Sequence, residues 1–196
     1  MLVINIFAIF SLISFSVILL LRKNNAITNV LLALIIANPA INFINNVVIL
    51  TDTIFTFPHI VFISYITGPL YAPLVLAYCR KMIGKDFKLF TILHGLTFSL
   101  ILLVSYFYVE FLLLPPLEQG NYLQGLKESL YPWQLEICNM TFSLLQLTYL
   151  IVATYEVFKF KKLTFDFYSN SEKTKVNYIV TFAILLCILT FVMLLA

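Results

Sequence analysis

The side chains that could do chemistry in this sequence are amides that lie inside long apolar runs. One run carries four asparagines at helical spacing: Asn38, Asn42, Asn45 and Asn46. A later run repeats the spacing with Asn139, Ser143 and Gln146. Amides both donate and accept hydrogen bonds, so within apolar helices they either join neighbouring helices or bind a small polar ligand.

The composition defines the surroundings of these amides. Of the 196 residues, 62% are hydrophobic and only 11% are charged, and the mean hydropathy is +1.01. An ordinary soluble domain is about 45–50% apolar and about 25% charged. The composition therefore excludes soluble globular, disordered and disulfide-framework proteins, and it predicts an integral membrane protein.

Charge-free stretches of about 20 residues, the length that crosses a bilayer core as a helix, define the elements. They predict an all-α fold, a single membrane-embedded bundle of six transmembrane helices that occupies residues 1–196. The spans are about 1–21, 27–50, 58–79, 89–109, 137–155 and 176–196. The last run ends without an anchoring polar residue, which is typical of a truncated chain, and a seventh span would return the chain to the cytoplasm.

The basic residues predict the orientation of this bundle. Of the 12 Lys and Arg residues, only Lys127 falls on the same side of the membrane as the N-terminus. Loops rich in Lys and Arg stay in the cytoplasm. The N-terminus is therefore expected outside, and the basic loops inside.

In this orientation, five residues fall in the outer third of the bundle and form a candidate site for a small polar ligand. They are Asn45, Asn46, Tyr65, Glu136 and Asn139. Glu136 is included because it is the acid nearest to intramembrane amides on the outer side. The alternative is that the amides are structural, since interhelical hydrogen bonds contribute about 0.6–2 kcal/mol each. The residues themselves leave both interpretations open.

The third span carries a candidate hinge at Gly68, Pro69 and Pro73. Proline removes a backbone donor and clashes with the preceding turn, so we expect a kink between Thr67 and Pro73. Such a kink serves as a hinge in some switching proteins and is static in others.

The longest external connection, residues 111–133, predicts a short helix on the outer surface. Pro115, Pro116 and Gly120 are expected to break any helix at the start of this segment. After them, Leu123, Leu126 and Leu130 recur at roughly helical spacing. This pattern favours a packed lid over the bundle rather than a ligand-capturing loop.

The sequence contains no pattern typical of an enzyme. It lacks a Gly-rich phosphate loop, HExxH, GxSxG and a CxxC pair, and no charged residue lies in the middle of a span. His59 and His94 fall on different helices at opposite faces, so they cannot share a metal ion. We therefore expect no catalytic residues, no cofactor and no metal site.

Four segments resemble a known family. They are GPLY at 68–71, YCRKMIGKDFK at 78–88, LH at 93–94 and FYSNSEK at 167–173. In order and spacing they resemble the multi-helix N-terminal domain of bacterial membrane-anchored AraC-type transcriptional regulators. That family adds a seventh span and a cytoplasmic helix-turn-helix domain, and neither is present here. The resemblance implies a sensor or anchor module in the bacterial cytoplasmic membrane that does not itself bind nucleic acid.

The first hypothesis for function is therefore a signal-input module that passes an external signal to a cytoplasmic output absent from this chain. Its partners would be the lipid bilayer and a cytoplasmic output domain or partner chain, and a homodimer is an open option. The alternatives are a small membrane carrier or channel subunit, which needs an aqueous path between the asparagine-lined helices, and an inert membrane anchor or assembly protein.

Overall fold

The computed structural model describes residues 1–22, 27–85, 92–128 and 133–164, together with residues 177, 178, 180–182, 184, 185 and 188. These residues form helices and no strand, which confirms the all-α class. The helices are α1 (Leu2–Leu21), α2 (Ile27–Leu50), α3 (His59–Thr67), α4 (Tyr71–Met82), α5 (Ile92–Leu113), α6 (Pro116–Lys127) and α7 (Trp133–Thr164). Short 3₁₀ turns cover Thr53–Phe55 and Gly68–Leu70.

Five helical segments among the described residues are long and apolar enough to cross a membrane. They are α1, α2, the α3–α4 pair, α5 and α7. The chain is a multi-pass membrane protein. The sixth predicted span, 176–196, falls largely outside the described residues. Its described positions, between 177 and 188, are helical.

The helices that contain charged residues extend further than the predicted spans. The fourth span was expected to end at residue 109, but α5 continues through Glu110 to Leu113. The fifth was placed at 137–155, but α7 has 32 residues and includes Glu136 and Glu156. At 1.5 Å per residue α7 is about 48 Å long, well beyond the hydrocarbon core of about 30 Å. A helix does not need to end where the bilayer ends, so charged residues do not mark the helix ends.

The third span is divided at the predicted kink. The α-helix ends at Thr67, a 3₁₀ turn occupies Gly68–Leu70, and α4 begins at Tyr71. The Asn38 amide Nδ2 of α2 donates a hydrogen bond of 2.8 Å to the Thr67 carbonyl oxygen. Within a bilayer, irregular backbone is tolerated where neighbouring helices supply hydrogen bonds. We call this interruption the 3₁₀ break.

Three clusters of buried side chains hold the helices together, and the smallest consists of Leu100, Val104 and Cys138. The α4–α7 cluster includes Tyr71, Val75, Tyr149, Ala153 and Val157. The α6 cluster brings together Ile54, Phe62, Phe111, Leu123, Leu126 and Leu135. The helix α1 packs against α2, and Ser16 is its only buried residue.

The helix α6 begins earlier than the sequence predicts. Pro116 lies in its first turn, where a missing backbone donor costs nothing, and Gly120 lies inside the helix and does not break it. Leu123 and Leu126 are buried against Phe62 and Phe111. The helix therefore packs on the ends of α3 and α5 as a lid.

Candidate ligand-binding site

A cavity of about 240 Å³ lies between α2, α3, α5 and α7, beside the 3₁₀ break. We call it the amide cavity. Its polar wall consists of Asn42, Asn45, Asn46, Ser64, Tyr65 and Asn139. Its apolar wall consists of Leu100, Val104, Cys138 and Phe142. The described residues that line it include no charged side chain, so the cavity suits an uncharged molecule that forms hydrogen bonds.

Four of the five predicted ligand-binding residues lie together in this cavity: Asn45, Asn46, Tyr65 and Asn139. Glu136 is not among the lining residues and is exposed at the start of α7. The reason is helical geometry, because Leu135, Cys138 and Phe142 form the inward stripe of α7. Glu136 is about 100° around the helix from Leu135 and points away from this stripe.

The Asn45 side chain has an unmatched hydrogen-bonding atom. Its oxygen, Oδ1, is buried and has no hydrogen-bond partner among the described residues. A buried acceptor left without a donor costs about 1–3 kcal/mol. The cavity that Asn45 lines is therefore best filled by a group that carries an N–H or O–H donor.

The candidate hinge residues are divided between two sites. Gly68 and Pro69 line the amide cavity, whereas Pro73 lies in a second groove, between α2 and α4. A Cβ atom added to Gly68 would lie 3.5 Å from Cζ of Phe142, which is an ordinary van der Waals contact. The 3₁₀ break therefore forms part of the cavity wall.

Two other intramembrane polar side chains, those of Asn38 and Ser16, have structural partners. Asn38 is buried, and its bond to Thr67 joins α2 to the 3₁₀ break. The Ser16 hydroxyl donates to the Ala33 carbonyl oxygen at 3.1 Å and so joins α1 to α2. The amides of the second span thus have two roles, since Asn38 holds helices together while Asn42, Asn45 and Asn46 face the cavity.

An ion pair that sequence analysis did not identify connects α4 to α7. Arg80 Nε donates to both carboxylate oxygens of Glu156, at 3.1 and 2.9 Å, and Nη2 donates to Oε1 at 2.8 Å. The two side chains are only 16% and 14% exposed, and Lys85 Nζ lies 3.8 Å from the same carboxylate. The available signal was that Glu156 is an acid within a strongly basic region, but a pairing between helices cannot be deduced from spacing.

The two histidines each have a tyrosine partner. His59 Nδ1 lies 2.6 Å from the Tyr108 hydroxyl, and His94 Nδ1 lies 2.7 Å from the Tyr149 hydroxyl. Thr97 Oγ1 also lies 3.1 Å from the Tyr149 hydroxyl. Within the part of the chain that the structure describes, no three His, Cys, Asp or Glu residues are grouped so that they could hold a metal ion.

Together, the apolar helices and the partly open amide cavity define a polytopic α-helical membrane protein with a polar site between its helices. Comparison with family models, with curated proteins and with solved structures finds no match. Function must therefore be argued from the site itself.

Proposed function

We propose that this chain is a membrane signal-input module in which a small external molecule binds in the amide cavity. The observation that carries the proposal is that Gly68 and Pro69 line the same cavity as Asn45 and Asn139. A molecule bound there contacts the 3₁₀ break directly. In the middle of a helix, a 3₁₀ segment often marks a hinge.

The chemistry of the cavity indicates the class of ligand. The charge-free lining disfavours an ion, and the amides of Asn42, Asn45 and Asn46 offer both donors and acceptors. The unpaired Asn45 oxygen favours a ligand with a hydroxyl or amide donor. The ring of Phe142 and the side chain of Leu100 suit an apolar portion of the same molecule.

The route for the signal runs along α4. This helix begins at the 3₁₀ break and carries Arg80 in its last turn, where Glu156 of α7 binds it. A change of geometry at the break would move the end of α4 relative to α7. A ligand can drive this change only by as much as it binds the two conformations with different affinity.

We place the module in the bacterial cytoplasmic membrane with the N-terminus outside, and we propose a cytoplasmic output of the kind found in AraC-type regulators. The distribution of Lys and Arg supports this orientation. The resemblance of residues 68–71 and 78–88 to that family supports the output. The 3₁₀ break falls on the first of these segments.

The test is complementation in the source organism, with transcript levels as the readout. Asn45→Leu and Asn139→Leu remove cavity amides, and Asn5→Leu makes the same change on α1 as a control. We expect both cavity variants to insert normally and to reproduce the transcript changes of a deletion strain, while the control matches wild type. Normal transcripts in both cavity variants would refute the proposal. If the transcripts were normal and only stability fell, the result would favour an anchor. If the transcripts were normal and solute uptake changed, it would favour a carrier.

A further inference from the structure

We propose that the groove between α2 and α4 is a binding site for one anionic phospholipid, which holds an acyl chain along the groove and its phosphate at Lys81. The groove has a volume of about 490 Å³ and is separate from the amide cavity. Its lining is almost entirely apolar and includes Leu31, Leu34, Ala37, Leu70, Leu74 and Ala77. It lies between membrane-spanning helices, so the hydrocarbon phase is its natural source of occupants.

The length of the groove suits a complete acyl chain. Asn38 and Thr67, which bond to each other, lie near one end of the groove, and the other end is reached at Ile27 and Lys81. The 14 residues from Thr67 to Lys81 span about 21 Å at 1.5 Å per residue. One leaflet contributes about half of a hydrocarbon core about 30 Å thick. The groove therefore extends from the middle of the bilayer to the headgroup region.

The positive charge of Lys81, at the end of the groove opposite Asn38, favours a lipid with an anionic headgroup. Arg80 and Lys85 both bind the Glu156 carboxylate. Among the described residues, no carboxylate forms an ion pair with Lys81, which is exposed and lines the groove. Arg80 and Lys85 therefore bind a carboxylate within the protein, whereas Lys81 lies at the end of the groove. Basic pockets between transmembrane helices are typical binding sites for anionic lipid headgroups.

The test counts the lipids that the purified full chain retains in an uncharged detergent. Phosphatidylglycerol and phosphatidylcholine with identical acyl chains are added separately, and native mass spectrometry measures the bound lipid. We expect one retained phosphatidylglycerol, with a preference of about fivefold over phosphatidylcholine from a single lysine. Lys81→Gln should abolish the preference for phosphatidylglycerol. Lys159→Gln makes the same change at an exposed lysine of α7 and should leave this preference intact.

A second pair of variants tests the groove itself. Ala37→Phe fills the groove and should release both lipids, whereas Ala8→Phe on α1 should release neither. Helical content by circular dichroism verifies that each variant is folded. An unchanged preference in Lys81→Gln, or full retention in folded Ala37→Phe, would overturn the proposal. Disulfide-linked dimers of Leu34→Cys in bilayers would also overturn it, because a second copy of the chain would then occupy the groove.

Discussion

The substitution Gly68→Ala distinguishes a glycine kept for backbone motion from one kept for lack of space. Gly68 has φ −50° and ψ −49°, which is right-handed helical backbone, and it directly precedes Pro69. A Cβ atom on the residue before a proline is crowded by the proline ring in this backbone region, so alanine is disfavoured here although glycine is tolerated. The added methyl group meets Phe142 at 3.5 Å, a normal contact. Replacing glycine by alanine at an unstrained helical position raises the free energy of unfolding by about 0.4–1 kcal/mol, because alanine loses less conformational entropy on folding. We expect Gly68→Ala to fall short of this gain, because the clash with the Pro69 ring opposes it.

Thermal unfolding in detergent, followed by the reaction of buried thiols with a fluorogenic maleimide, measures this effect. Cys79 and Cys138 are 2% and 3% exposed in the folded protein and become reactive when the bundle opens. Gly95→Ala on α5 is the matched control, because a methyl group there meets nothing within 4 Å. Gly95→Ala should melt at higher temperature than wild type, and Gly68→Ala should melt at lower temperature than Gly95→Ala.

The two variants are also expected to differ in their transcript response. If the 3₁₀ break is a hinge, Gly68→Ala restricts the backbone there and alters the transcript response, while Gly95→Ala raises stability and leaves the response unchanged. A gain in the stability of Gly68→Ala as large as that of Gly95→Ala would refute the structural reasoning at this position. A normal transcript response in folded Gly68→Ala would refute the hinge.

Three further predictions concern stability. Asn38→Ala removes the donor to the Thr67 carbonyl and should lower the free energy of unfolding by about 1 kcal/mol in the same thermal assay. Glu156→Gln should lower it by about 2 kcal/mol, and reversing both charges with Arg80→Glu and Glu156→Arg should restore part of the loss. Burial and the charge of nearby Glu110 raise the pKa of Tyr122 to about 12, so the folded state keeps a proton that the unfolded state loses near pH 10. Stability should fall between pH 10 and 12, and less steeply in Tyr122→Phe.

The sequence determined most of the fold because hydrocarbon imposes a strict pattern. An apolar run of about 20 residues has few alternatives to a spanning helix, and the predicted second span coincides with α2, Ile27–Leu50. The prolines of the third span likewise located its irregularity. The helix ends were less predictable, because the predicted fifth span was bounded by Glu136 and Glu156 while α7 continues past both.

The candidate site could be predicted only in part. Depth along each predicted span grouped Asn45, Asn46 and Asn139, because all three fall in the outer third of the bundle. It could not show that Asn38 on the same helix bonds to Thr67, or that Glu136 points away from the cavity. Those outcomes depend on the rotation of each helix about its axis, which packing against neighbours decides.

Contacts between distant helices were set by the tertiary structure alone. The pairing of Arg80 with Glu156 and the groove that ends at Lys81 join segments with no shared local pattern. Spacing along the chain specifies which residues share a helix face. Only the packed bundle specifies which faces meet, because that choice is made by the fit of side chains between helices.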